Sequence, residues 1–288
     1  MPNEKGIRIF SGAVAVITGA ASGIGRALSE ELAGRGCEVI LADLQDELAG
    51  EVAEVIRKKG GKAEALRIDV RNFAEVEGVV KDTFNRCGRL DYMFNNAGIG
   101  VAGDTHLHIA ESWHRIIEIN IKGVANGVQA AYPLMYEQGF GHIVNTASMA
   151  GLISIPSMAA YTATKHAVVG LSKSLRVEAA IAGIRVSVLC PGVIRTPILE
   201  GGKLGVIHGV SEDEIKKIWD FPFFRPMEPD IFARKVIDDV AKNRPIIIVP
   251  RWCRYFWWQS RIIPSSVQFA LDRLGYLYLK AKATSGNS

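Results

Sequence analysis

Cysteine is scarce in this chain: four residues of 288, Cys37, Cys87, Cys190 and Cys253. They form no Cys-x-x-Cys pair, and no histidine stands near them at ligand spacing. This argues against a disulfide framework and a zinc site and fits a reducing, cytoplasmic setting. Long apolar runs are missing too. No stretch approaches the ~18 residues that a membrane span needs, and the opening MPNEKGIRIFSG lacks the apolar core of a signal peptide. His114, His142, His166 and His208 show no metal spacing, and His106 and His108 in THLHIA read as solvated loop residues. No metal is expected.

What is present is an ordinary globular composition, 48% apolar and 22% charged, enough for a sizeable core. The net charge of +4 is unevenly spread. From Lys242 onward there are eight basic residues and one acid, Asp272, so residues 1–241 are slightly acidic. The same tail holds Trp252, Trp257 and Trp258 beside Tyr255 and Phe256.

Between about residues 12 and 250, short apolar runs alternate with segments of helical period. The runs are AVAVITG, CEVILAD, AEALRIDV, RLDYMFNNAG, GHIVNTAS, IRVSVLCPG and PIIIVP. Their nearly continuous apolar character suits strands covered on both faces. Strict alternation predicts an α/β fold: a three-layer α/β/α sandwich around a doubly wound, seven-stranded parallel sheet. Residues 1–250 form one domain in this reading. The stretch from Pro197 to Met227 shows no strand and reads as a lid, and residues 251–288 form a separate tail.

The first strand runs into TGAASGIG, Thr18 to Gly25, and then into a helix. Gly19, Gly23 and Gly25 allow a tight turn and close backbone approach, and a helix N-terminus favours a phosphate. Three glycines alone are weak evidence, but the second strand ends in Asp43, where an acid would bond the ribose hydroxyls of an adenosine. An acid there repels a 2′-phosphate, and neither Ser22 nor Leu44 supplies a cation, which favours NAD over NADP.

YTATK places Tyr161 four residues before Lys165, with Ser148 thirteen residues before the tyrosine. The tail repeats both spacings with Tyr278, Lys282 and Ser265, and Tyr276 precedes Lys280 at the same interval. Spacing alone does not choose between them. The ordered set TGAASGIG, Asp69 in IDV, NNAG, Asn120 in EINIKG, Ser148 in NTAS, YTATK and PGVIRTP resembles the short-chain dehydrogenases/reductases over roughly residues 12–250. That resemblance implies a Rossmann fold and a catalytic set of Asn120, Ser148, Tyr161 and Lys165. It implies a cofactor site from Gly19, Ser22, Gly23, Ile24, Gly25, Asp43, Leu44, Asp69, Val70, Asn96, Ala97, Gly98, Tyr161, Lys165, Pro191, Gly192, Val193 and Thr196. Within it Asp69 would contact adenine, Lys165 the nicotinamide ribose and Thr196 the nicotinamide amide, while Asn120 would hold a water for proton relay. The tail set lacks a strand end before Ser265 and has Ile237 where an asparagine is needed. Its tyrosine belongs more simply to a helix face with Val267, Leu271, Leu274 and Tyr278.

A phenol with a pKa of ~10 is a poor base at neutral pH, and an ammonium one helical turn away is expected to lower it. Tyr161 would then exchange a proton with a substrate hydroxyl while hydride moves at carbon, and Ser148 would hold the substrate oxygen in line. The expected function is NAD-dependent interconversion of a secondary alcohol and its ketone. Leu199, Leu204, Val206, Ile207, Trp219, Phe221, Phe223 and Phe224 in the lid suggest a steroid-, retinoid- or long-chain-like substrate, or else pack the lid onto its own domain. A sensor without turnover should have lost part of the catalytic set, and a dehydratase or epimerase should have a longer substrate domain; carbonyl reduction with NADPH is the other alternative. The tail resembles that of long-tailed hydroxysteroid and retinol dehydrogenases. It is expected to cover a partner subunit of a homo-oligomer, dimer at least, or the cleft mouth. Peripheral contact with an anionic membrane ranks second, and nucleic acid is rejected for want of a binding motif.

Overall fold

The computed structural model describes residues 6–199, 202, 204–209, 226–266, 268, 269, 272 and 273. All seven apolar runs are strands: β1 (Val14–Thr18), β2 (Glu38–Asp43), β3 (Lys62–Arg67), β4 (Tyr92–Asn95), β6 (Gly141–Thr146), β7 (Ile184–Pro191) and β9 (Ile246–Val249). They pair in parallel in the order β3-β2-β1-β4-β6-β7-β9. The order reverses between β1 and β4, so a crevice opens at the carboxyl ends of the strands there, where ligands of such sheets bind. Every residue of β1 and β6 is buried, whereas β3, at the sheet edge, is only partly covered.

Two further strands, β5 (Gly100–Gly103) and β8 (Gly205–His208), form a separate parallel pair. This corrects the expectation that nothing in Pro197–Met227 is extended. Four residues with only two branched side chains give too short a pattern to read, and pairing with the segment after NNAG creates the strand. Gly103, at φ +102, lies so close that a Cβ would fall 1.9 Å from the His208 carbonyl oxygen. Trp219, Phe221, Phe223 and Phe224 lie outside the described residues, as do Tyr276, Tyr278, Lys280 and Lys282.

Helices α1 (Gly23–Gly34) and α2 (Asp46–Lys58) follow β1 and β2; α3 (Phe73–Cys87) precedes β4. Then come α4 (Ala110–Ile117), α5 (Gly123–Gln138), α6 (Ala159–Ala180), α7 (Pro229–Ala241) and α8 (Cys253–Ile262). Helices α4 and α5 are joined through a π-helical turn, Glu118–Lys122. One apolar layer packs α1 and α7 against the sheet through Leu28, Leu32, Phe232 and Val236; another uses Val80, Met135 and Leu175 on the opposite face. The tail begins by packing on the domain, with Cys253 and Trp257 against Val169, Val188 and Ile248.

Candidate active site

The glycine loop is built by exclusion of side chains. A Cβ on Gly25 would sit 2.0 Å from the Gly19 carbonyl oxygen, and one on Gly19, at φ +67, would sit 2.7 Å from the Cα of Ala97. The NNAG segment is thereby pressed directly onto the loop. Thr18 fastens it: its hydroxyl accepts from the backbone N–H groups of Asn96 (3.0 Å) and Ala97 (3.1 Å) and donates to the Phe94 carbonyl. The Asn96 side-chain amide donates to the carbonyls of Thr18 and Gly19. Ser22 makes no side-chain cap on α1, and no acid occupies its first turn, so the helix dipole there is not offset by a carboxylate. A cradle with no room for side chains and an uncapped helix end fits a dinucleotide pyrophosphate.

Asp43, at the end of β2, is buried; its two oxygens accept from the backbone N–H groups of Ala21 and Gln45, each at 2.9 Å. The acid thus shapes the glycine loop from behind, and each oxygen keeps acceptor capacity for a further donor. Leu44 beside it is half exposed. Asp69 follows β3, and its carboxylate is engaged by the Arg71 guanidinium at 2.9 and 3.0 Å, which holds it below the usual carboxylate range. That pairing was not foreseen. Val70 supports the site indirectly, its carbonyl accepting from Asn126 at 2.8 Å. The Pro191–Thr196 segment folds over the loop: a Cβ on Gly23 would meet the Thr196 methyl at 3.0 Å. Gly192 leaves no room either, since a Cβ there would lie 2.9 Å from the Cys253 sulfur. Gly98 faces Asn120 and Lys165: a Cβ there would lie 3.2 Å from Asn120 Oδ1 and 3.4 Å from Lys165 Nζ.

Around Tyr161 the structure brings together residues from three elements. Ser148 follows β6; its hydroxyl accepts from the Ala150 N–H, and its side chain is hydrogen-bonded to Tyr161. Lys165, one turn along α6, places Nζ 5.5 Å from the centroid of the Tyr161 ring and donates to the Thr146 carbonyl at 3.0 Å. Burial lowers its pKa to about 8. The expected depression of the tyrosine is not what this arrangement gives. Burial raises the Tyr161 pKa, and the Ser148 hydrogen bond only partly opposes it. The ammonium spends its hydrogen bond on a carbonyl rather than on the phenol, and loss of water disfavours a phenolate.

Asn120 lies in the π-turn and is fully buried. Its side chain accepts from the Ile99 N–H and donates to the Ile99 carbonyl and the Thr164 hydroxyl. The π-turn, often found at functional positions, is how one helix points this residue at α6. Thr18, Thr146 and Thr164 were missed as supports; the first two sit in TGAASGIG and NTAS, where a strand-end threonine could have been flagged. Cys190, fully buried near Tyr161 and Lys165, has its thiol pushed up to about 12 by burial. It is protonated and unreactive at neutral pH. Among the described residues no cluster of His, Cys, Asp or Glu could hold a metal ion, and no helix is long and apolar enough to cross a membrane.

Residues 13–203 match the family described as short chain dehydrogenase. Cyclohexanol dehydrogenase of Acinetobacter sp. (strain SE19) is 39% identical over 191 residues, covering 66% of this chain and 76% of the relative. Levodione reductase of Leifsonia aquatica is 39% identical over 194 residues, covering 66% and 73%. The crystal structure of a short chain dehydrogenase/reductase from Burkholderia phymatum in complex with NAD superposes with a TM-score of 0.79 at 30% identity. That match covers 92% of this chain and 97% of the other.

Proposed function

The chain belongs to the short-chain dehydrogenase family, and from that premise we propose that it interconverts a secondary alcohol and its ketone with NAD as the hydride carrier. The observation that carries this reading is the joining of Ser148, Tyr161 and Lys165 at the end of β6 beside a glycine cradle on β1. Gly19–Gly25, Asp43, Asn96–Gly98 and Pro191–Thr196 would hold the cofactor, which would supply hydride to a carbonyl as NADH or accept it from an alcohol carbon as NAD+.

The protein's own groups manage the proton. Ser148 donates toward the oxygen that Tyr161 also reaches and so fixes one substrate atom between two hydroxyls. Tyr161 gives its proton to that oxygen during reduction and recovers one during oxidation. Lys165 favours the transient phenolate, and its depressed pKa lets it pass a proton onward near neutral pH. Asn120 is a positioning residue: by clamping Ile99 to Thr164 it keeps the wall of the cleft at a fixed distance from α6.

An apolar substrate fits the surroundings of Tyr161. Its side chain packs in a cluster with Ile99, Val101, Ile116, Trp113, Leu204 and Val206, the last two contributed by the start of the lid. Cyclohexanol dehydrogenase is named for a cyclic alcohol, so cyclic alcohols and ketones come first in a screen and bulkier lipophilic ones second. Kinship with long-tailed hydroxysteroid and retinol dehydrogenases rests on the tail alone. Assembly into at least a dimer belongs to the same proposal, supported by the strong exposure of Val177 on α6 and Ile181 just after it.

The test is titration of the purified protein with NADH and NADPH beside Asp43→Ala. We expect a preference for NADH that the substitution relaxes, followed by NAD reduction with a cyclic secondary alcohol. A preference for NADPH would overturn the cofactor assignment. It would point to Arg67, exposed at the end of β3 and in register with Asp43, as the cation that holds the 2′-phosphate. Tight NADH binding with no turnover on any alcohol or ketone would favour a sensor.

A further inference from the structure

A cleft of about 350 Å³ lies between α6, the Gly151–Ser154 segment and the tail helix α8, within the size range of small-molecule sites. It is separate from the catalytic group. On α6 its wall is His166, Val169 and Lys173, a stripe rotated by roughly 100° from Lys165 at one residue per 100°. Ile153, Ile246 and Trp257 give it apolar contacts among the neutral polar groups of Ser154, Ser260 and Gln268, and its charged groups are of one sign. No carboxylate is among the described lining residues, while Lys173 stands on one wall and Arg261 on the other.

Neither Lys173 nor Arg261 forms an ion pair among the described residues. Arg261 is nonetheless held in place, its guanidinium 5.4 Å from the centroid of the Trp257 ring. Stacking of this kind leaves the edge of the guanidinium free to grip a carboxylate or phosphate with paired N–H groups. Two like charges lining one cleft repel, and an anion bound there offsets that repulsion. A ring with an alkyl chain, or a chain alone, suits the side chains of Ile153, Val169 and Trp257.

We propose that this cleft is a second ligand site, for an anionic amphiphile: one carboxylate or phosphate head on an apolar chain. Its occupant ties the tail to the catalytic domain. It also touches Gly151, which packs so tightly on α6 that a Cβ would lie 2.6 Å from the Lys165 carbonyl oxygen, and which closes the turn begun at Ser148. The head could come from a free amphiphile or from a lipid in a bilayer, which Tyr255 and Ile262, both about 70% exposed on α8, would face.

Isothermal titration of the full chain with decyl phosphate below its micellar concentration tests the proposal. Expected is saturable binding of one molecule per chain, unchanged by saturating NADH. Decanol should bind at least about tenfold more weakly, and Lys173→Glu with Arg261→Glu should reduce decyl phosphate affinity by a similar factor or more. An unchanged NADH affinity shows that the variant folds; if it does not, Lys173→Gln with Arg261→Gln replaces it. Flotation with neutral and phosphatidylglycerol-containing vesicles separates the sources: charge-dependent vesicle binding lost in the variant assigns a bilayer headgroup, and binding of the soluble probe alone assigns a free amphiphile. Equal binding of decanol, indifference to the charge changes, displacement by NADH, or no binding of any probe overturns the proposal.

Discussion

At the glycine loop, polar groups are satisfied by the backbone from several directions, whereas around Tyr161 each charged or ionisable side chain is held by a single bond inside an apolar shell. Asp43 accepts two backbone amides, and Thr18 makes three bonds to the backbone of residues 94–97. Lys165, by contrast, is buried with one carbonyl, and Tyr161 is bonded to one serine. The first arrangement fixes a shape. The second leaves protons movable, at a cost in folding free energy. A binding surface and a proton-transfer group need these opposite things, and the reversal point of the sheet places them side by side.

The largest effect that separates the two regions should come from Tyr161→Phe. Removing the proton-transfer group should lower kcat by about 10³-fold, within the range for general acid–base catalysis, while NADH affinity stays within a factor of about three. A matching loss of NADH binding would show that the regions are not separable. Gly25→Ala should do the converse. Its methyl has no space beside the Gly19 carbonyl, and overpacking of about 1–3 kcal/mol should appear as weaker NADH binding and a lower Tm. Unaltered NADH affinity in a folded variant would break the cradle argument.

A smaller and less intuitive effect concerns Lys165→Met. Turnover should be lost, yet the ligand-free protein should become more stable. A lysine whose folded pKa is about 8 instead of 10.5 binds fewer protons when folded, so at pH 7 its burial opposes folding by roughly 2–3 kcal/mol. Losing the bond to Thr146 returns part of that, leaving a Tm rise of about 2–5 °C. The same sign gives a pH test. Between about pH 8 and 10.5 the unfolded chain binds more protons at this site, so its penalty fades and stability from Lys165 rises with pH. The difference in Tm between the variant and the parent should shrink across that window; a constant difference would show that the ammonium is not under strain.

The seven strands and the place of the glycine loop were legible because they depend on local patterns: apolar runs bounded by turns, and glycines where a side chain cannot fit. Asn120, Ser148, Tyr161 and Lys165 were named as a set through the family resemblance that several ordered motifs carry, and the structure brings them close to one another. The π-turn at Glu118–Lys122 was not, since EINIK has an ordinary helical composition. Nor was the pair β5 and β8, which exists only because two distant segments meet. The Asp69–Arg71 ion pair needed the turn after β3 to bring the two side chains together.

By itself, the sequence determined the sheet, the polarity of its tail and the chemical types available for a proton and a hydride, because those follow from residue identity and period. Only the tertiary structure decided the ionisation of those groups. Whether Tyr161 is acidified or made more basic depends on the water removed around it and on where one ammonium hydrogen points. Neither is a property of YTATK. In the same way, the cations Lys173 and Arg261 lie far apart in the chain and share a cleft only in the folded protein. Electrostatic energy depends on distance and local dielectric, and folding sets both.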